Sequence, residues 1–130
     1  MRKVILPMVL LLLSISSKSQ PKKLVIIGSS TAFGTGAQPA IDSSWVRRVN
    51  YYYKYQQGVL DTVYNIALGG YDPYNGLPSW YTPAPFYSLP DPERNITKAN
   101  SLAPDIIIVS FVSNNFQVGG LPTDSIMKAF

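Results

Sequence analysis

Beyond the first nineteen residues, two stretches of this chain are apolar at every position rather than at every second or fourth one. Residues 24–27 read Leu-Val-Ile-Ile and residues 106–109 read Ile-Ile-Ile-Val. Short, mostly β-branched runs bounded by polar residues are the pattern of parallel strands covered on both faces. They predict a first strand over Lys22 to Gly28 and a third over Asp105 to Val112. Between them, Asp61 to Ala67 (Asp-Thr-Val-Tyr-Asn-Ile-Ala) predicts a second strand that stops at Gly69-Gly70.

Helical spacing appears between the strands. Asp42 or Ser43 is placed to cap a helix running to about Tyr55, with Trp45, Val49, Tyr52 and Tyr53 on one stripe. The tyrosine cluster at 51–55 is read as that stripe and its flanks, without a ligand role. Asp91-Pro92-Glu93 has the form of a second helix start: a capping side chain, a proline at the first position and an acid in the first turn. That helix is expected to reach Leu102 and stop before Pro104. Asp124 to Phe130 reads as the opening of a third. Ser29 to Ala40 is rich in Gly, Ser and Thr and is read as a loop.

The order strand, helix, strand, loop and helix, strand predicts an α/β fold. The expected architecture is a doubly wound, flavodoxin-like parallel sheet of about three strands, incomplete at its C-terminal side. The third strand is built to lie inside a sheet, and in the order 2-1-3-4-5 it would need a fourth beside it. An apolar strand without that neighbour is an edge open to association; whether a partner completes the sheet is left open by the sequence.

Residues 1–19 change how the composition reads. Arg2 and Lys3 precede an apolar stretch from Val4 to Ile15, and small residues follow at Ser16, Ser17 and Ser19. This is the pattern of a secretory signal, with cleavage expected after Ser19 and an uncleaved anchor as the weaker alternative. The stretch is short of the roughly 20 residues of a membrane span. Residues 20–130 are then one domain of a secreted or periplasmic protein, with no membrane contact after signal removal. Without Arg2, Lys3 and Lys18, the net charge of +4 falls to +1, eight basic against seven acidic side chains. No basic patch suggests nucleic acid. The chain has no cysteine and no histidine, which excludes metal sites built from those ligands. No Asp-rich loop suggests a hard cation, and no cofactor is expected.

Candidate chemistry lies just beyond the strand ends, where the crevice of an open α/β sheet forms. Ser30 follows the first strand, Gly70 the second and Asn114 the third. Acyl transfer needs a hydroxyl to attack and donors for the oxyanion. Ser30 Oγ can attack, and the Gly70 backbone N–H and the Asn114 side-chain amide can donate. Taken singly, each has a plainer reading: a turn or cap serine, a sharp-turn glycine, a strand-end asparagine. Residues 71–90 form a long loop with five prolines and six aromatic residues. Its Trp80 and Tyr81 are candidate substrate-binding residues that could stack on sugar faces; packing of the loop on its own sheet is the other reading.

These blocks together resemble the SGNH, or GDSL-like, hydrolase superfamily of esterases and lipases. Gly28-Ser29-Ser30 stands where that family has Gly-Asp-Ser, which puts Ser30 in the nucleophile position. Asn65 to Gly70 resembles its second block and Val112-Ser113-Asn114-Asn115 its third, with Asn114 at the oxyanion asparagine. Ser44-Trp45-Val46 and the run from Pro104 through Ile108 are also similar to the family. Ser29 and Asn115 replace aspartates. The family's Asp-x-x-His block, which supplies the general base, has no counterpart in this chain. The resemblance therefore implies the N-terminal part of a secreted serine esterase acting on carboxylic esters, carbohydrate acetyl esters among them, and inactive or nearly so as it stands. A non-catalytic, secreted carbohydrate-binding module on the same fold is the alternative, and a truncated reading frame a third.

Overall fold

The computed structural model describes residues 20–39 and 43–111. Strand β1 (Lys22–Gly28) is the centre of a three-stranded, all-parallel open sheet, with β2 (Leu60–Asn65) on one side and β3 (Ile106–Ser110) on the other. The fold is mixed α/β. Leu24 pairs with Val63 of β2 and with Ile106 of β3, and Gly28 with Ser110. A register irregularity between Lys22 and Lys23 sits at the start of the β1–β2 pair.

Alternation along β1 divides the core in two. Leu24 and Ile26 join Ala32, Val46, Leu60 and Ala67 in one cluster. Val25 and Ile27 join Ala99 and Phe111 in another. A strand that supplies a fully buried side chain at every position must be covered on both faces, and this explains why Leu24 to Ile27 carries no polar residue. Helices α1 (Ser30–Phe33) and α2 (Trp45–Asn50) contribute to the first cluster, and α3 (Ile96–Ser101) to the second.

The helices are shorter than the sequence pattern suggests. Ser44, not Asp42 or Ser43, caps α2, accepting from the Arg47 N–H at 3.2 Å; Asp42 lies outside the described residues. The expected run to Tyr55 is present as a change of winding: Tyr51–Gln56 continues as a π-helical turn. That extra residue per turn rotates the tyrosines off the buried stripe. Tyr52 and Tyr53 are exposed, while Val46 is buried and Trp45 and Val49 are half-buried. Helix α3 starts four residues later than expected, with Asn95 as its cap. Asp91 serves the preceding turn instead, accepting from the Glu93 N–H at 2.8 Å.

β3 is placed by ionic and main-chain contacts at its entry. The Lys23 N–H donates to Asp105 Oδ2 at 2.8 Å, and the Asp105 N–H returns a bond to the Lys23 carbonyl at 2.9 Å. Lys22 Nζ lies 3.2 Å from Asp105 Oδ1. Among the described residues β3 has a strand on one side only. The expected signal segment, the Asp124 to Phe130 helix start and the end of the expected third strand at Val112 lie outside the described residues.

Candidate functional site

Ser30 is the first residue of α1, immediately past the sheet's central strand. Gly28 has no room for a side chain there: a Cβ would lie 2.2 Å from the Ser110 carbonyl oxygen. That close approach lets the Ser29 N–H reach the same oxygen at 2.9 Å, so the β1 exit is fastened to the end of β3. The chain then turns into α1, with the Ser30 carbonyl accepting from Gly34 and Thr35, both at 2.9 Å. Gly34 closes the turn at φ 106°, a left-handed conformation suited to glycine. Ser30 remains partly open to solvent, whereas Ser29 is fully buried. Ser29 Oγ has no hydrogen-bond partner among the described residues.

The segment carrying Gly70 lies alongside. Main-chain pairing continues past β2, with the Ile66 N–H on the Ile26 carbonyl at 2.9 Å and the Leu68 N–H on the Gly28 carbonyl at 3.1 Å. Gly69 therefore passes beside the turn that follows α1, where an added Cβ would sit 3.5 Å from Thr35 Oγ1. Gly70 adopts φ 85° with open space around it. The structure thus brings the segments of Ser30 and Gly70 to the same end of the sheet. Asn114 lies outside the described residues.

Two supports of this turn were not foreseen from the sequence. Asn65 Nδ2 donates to the Ala32 carbonyl at 2.8 Å, and Asn65 Oδ1 accepts from the Ala67 N–H at 3.2 Å. One side chain thereby ties α1 to the segment leading into Gly70. From the other side, Arg94 Nη1 reaches the carbonyls of Ile66 and Ala67, both at 3.3 Å. Tyr71 Oη donates a hydrogen bond to Asp91 Oδ2. Burial, and then the Asp91 bond and charge, raise the Tyr71 phenol above its ordinary pKa. Burial also pushes the Asp91 carboxyl up. The Tyr71 bond, the Glu93 N–H and the Arg94 charge outweigh it and hold Asp91 below the usual carboxylate range. A tyrosine following a glycine pair and an acid twenty residues on carry no pattern that would announce this contact.

The long loop is better organised than its composition suggests. Asp72 and Asn75 form a reciprocal capping box over a 3-10 turn, Pro73–Gly76. Asp72 Oδ2 also accepts from Ser88 Oγ at 2.7 Å, and Asn75 Nδ2 donates to the Leu89 carbonyl at 3.0 Å. Trp80 and Tyr81 occupy a turn closed by the Tyr81 N–H on the Pro78 carbonyl at 2.9 Å. That turn is anchored to the start of α3, through the Ser79 N–H on Thr97 Oγ1 at 3.0 Å and Asn95 Nδ2 on Ser79 Oγ at 2.8 Å. Trp80 is 80% exposed and Tyr81 half-buried. Within the loop Tyr74 packs inward while Trp80 faces solvent.

Among the described residues no cluster of acidic side chains could hold a metal ion, and no helix is long and apolar enough to cross a membrane. Comparison of the chain with known protein families, with curated proteins and with solved structures finds no match to any of them.

Proposed function

We propose that the chain is the N-terminal part of a secreted serine esterase of the SGNH type, with Ser30 as nucleophile. The observation that carries this reading is the pair of main-chain bonds at the exit of β1. Leu68 N–H to Gly28 and Ser29 N–H to Ser110 draw all three strand ends towards Ser30. In this reading the sheet is doubly wound, and further strands follow β3.

Ser30 Oγ would attack an ester carbonyl, expel the alcohol and leave an acyl-enzyme for water to hydrolyse. The Gly70 N–H and the Asn114 amide would stabilise the oxyanion. Glycine suits position 70 twice over: its φ is left-handed, and the absence of a side chain leaves the N–H approachable. What is lacking is a base to take the Ser30 proton, since the chain has no histidine. Loss of a triad histidine lowers kcat by about 10⁶ in a serine protease, so this chain alone is expected to turn over esters at close to background rate.

Chemical rescue tests the assignment. Hydrolysis of a short-chain nitrophenyl ester is measured with and without added imidazole, for the chain and for Ser30→Ala. The expected result is negligible turnover alone and an imidazole-dependent rate that Ser30→Ala abolishes. Equal rates for the two proteins at every imidazole concentration would remove Ser30 from the mechanism. Fast Ser30-dependent turnover without imidazole would overturn the inactivity.

A further inference from the structure

Between α1, α2 and β2 the fold leaves a cavity of about 250 Å³. Its walls are Phe33 at the end of α1, Val46, Arg47 and Asn50 of α2, and Val63 and Asn65 of β2. Spacing explains the part played by α2. Positions 46 and 47 lie one turn before position 50, so the three side chains share a face of the helix. Ser44, which also borders the cavity, accepts from the Arg47 N–H and sets where that face begins.

Asn50 is the lining residue that the fold does not account for. Its Oδ1 is shut off from solvent with no hydrogen-bond partner among the described residues, and the rest of its amide is not engaged among them either. A leucine would fill the same place without burying an unpaired oxygen, an arrangement that native structures keep rare. The winding of the helix changes directly after Asn50, where the π turn Tyr51–Gln56 begins, and such turns are frequent at functional sites. Asn65 differs. Both ends of its amide are engaged, with the Ala32 carbonyl and the Ala67 N–H, so it serves as wall.

The lining narrows the ligand. The groups able to donate to one are the Arg47 guanidinium and the Asn50 amide nitrogen. No acid borders the cavity among the described residues, so an ammonium or a metal cation finds no counter-charge. A guanidinium carries five N–H donors in a planar fork that matches a carboxylate. Phe33, Val46 and Val63 add apolar surface, which a bare inorganic anion would leave unused. The volume exceeds the roughly 150 Å³ of an engineered cavity that takes up benzene, so a ring bearing a carboxylate fits. We propose that this cavity binds a small monocarboxylate with an apolar, ring-sized body. The carboxylate would be held by Arg47 and Asn50, and the body by Phe33, Val46 and Val63. Ser30 does not border the cavity, and the proposal does not rest on the esterase reading.

Sodium benzoate is the probe, titrated into the full chain and followed by ligand-observed NMR, with benzyl alcohol and inorganic phosphate for comparison. Benzoate is expected to bind saturably, with a Kd of about 1 mM or lower, and more weakly as salt is raised, because one contact is ionic. Benzyl alcohol has the ring without the charge, and phosphate the charge without the ring; each should bind at least about fivefold more weakly. Arg47→Gln should bring benzoate down to the level of benzyl alcohol. Asn50→Leu should weaken benzoate about fivefold. It should also leave the melting temperature unchanged or higher, because it removes the unpaired oxygen; lost binding in an equally stable protein is not misfolding. Ser30→Ala should bind as the parent chain does, which separates this proposal from the assignment of the nucleophile. No saturable binding of benzoate, benzyl alcohol or phosphate binding as tightly, benzoate binding unchanged in both cavity variants, or Asn50→Leu melting well below the parent chain would each overturn the proposal.

Discussion

The residue that decides whether a site can form here is Gly28. Its lack of a side chain allows the Ser110 carbonyl to come within reach of the Ser29 N–H, and so fixes where Ser30 emerges. Gly28→Ala would place a carbon 2.2 Å from a backbone oxygen. Neither partner is a flexible side-chain tip, so β1 and β3 must separate at that point. The expected destabilisation is about 2–4 kcal/mol, from overpacking together with the lost Ser29–Ser110 bond. Urea denaturation of the variant checks it. A loss below about 1 kcal/mol would mean that the strand ends relax freely, and the geometry assigned to Ser30 would lose its support. From the sequence, this glycine was legible only as a strand terminator. Its close packing depends on β3, some eighty residues away, which no local pattern reports.

At the scale of elements, what could be read in advance follows the kind of signal each carries. β1 was legible because its Leu24 to Ile27 segment, covered on both faces, is apolar at every position. The end of α2 was not: the run Tyr51 to Tyr55 fits a helical stripe by spacing, but the π turn moves those rings into solvent. Winding is a tertiary choice that periodicity does not encode. The support of the Gly70 turn was equally hidden, since Tyr71, Asp91 and Arg94 meet only once the long loop has closed. That contact has a pH signature. Asp91 is more acidic folded than unfolded. Its contribution to stability is therefore present above the ordinary carboxylate pKa and is lost as the pH falls through the folded value, below about pH 4. Tyr71 is less acidic folded than unfolded. Its contribution is complete below about pH 10 and is lost as the pH rises through the folded value. Urea midpoints measured from pH 2 to 11 should show Asp91→Asn flattening the acid limb and Tyr71→Phe flattening the alkaline one. An acid limb untouched by Asp91→Asn would remove Asp91 as its source; Asp105, which the Lys23 N–H and the Lys22 ammonium also hold low, is then the next variant to measure.

Over the whole molecule, the feature with the largest consequence is the outer side of β3. Its residues alternate between the two faces of the sheet, and each face is left partly uncovered. Ile106 and Ile108 border a groove of about 360 Å³ with Leu24, Val49 and Tyr53. Val109 and Phe111 border another of about 190 Å³ with Ile27, Leu77 and Ile96. Ile106 is 44% and Val109 49% exposed. A parallel strand with apolar side chains on both faces and no neighbour on one side offers backbone donors and acceptors together with a hydrophobic contact. Natural sheets block such edges with charge, proline or cover. Among the described residues β3 carries none of these, so the 130-residue chain is expected to self-associate as its concentration rises. Val109→Lys tests whether the edge is responsible. A lysine at a half-exposed edge position can extend its ammonium into water while its stem covers the groove, so the fold should survive and association should fall. Sedimentation velocity over a range of concentrations reads both. Association that Val109→Lys leaves unchanged would locate the contact elsewhere. A parent chain that stays monomeric throughout would remove this edge as a driver of association.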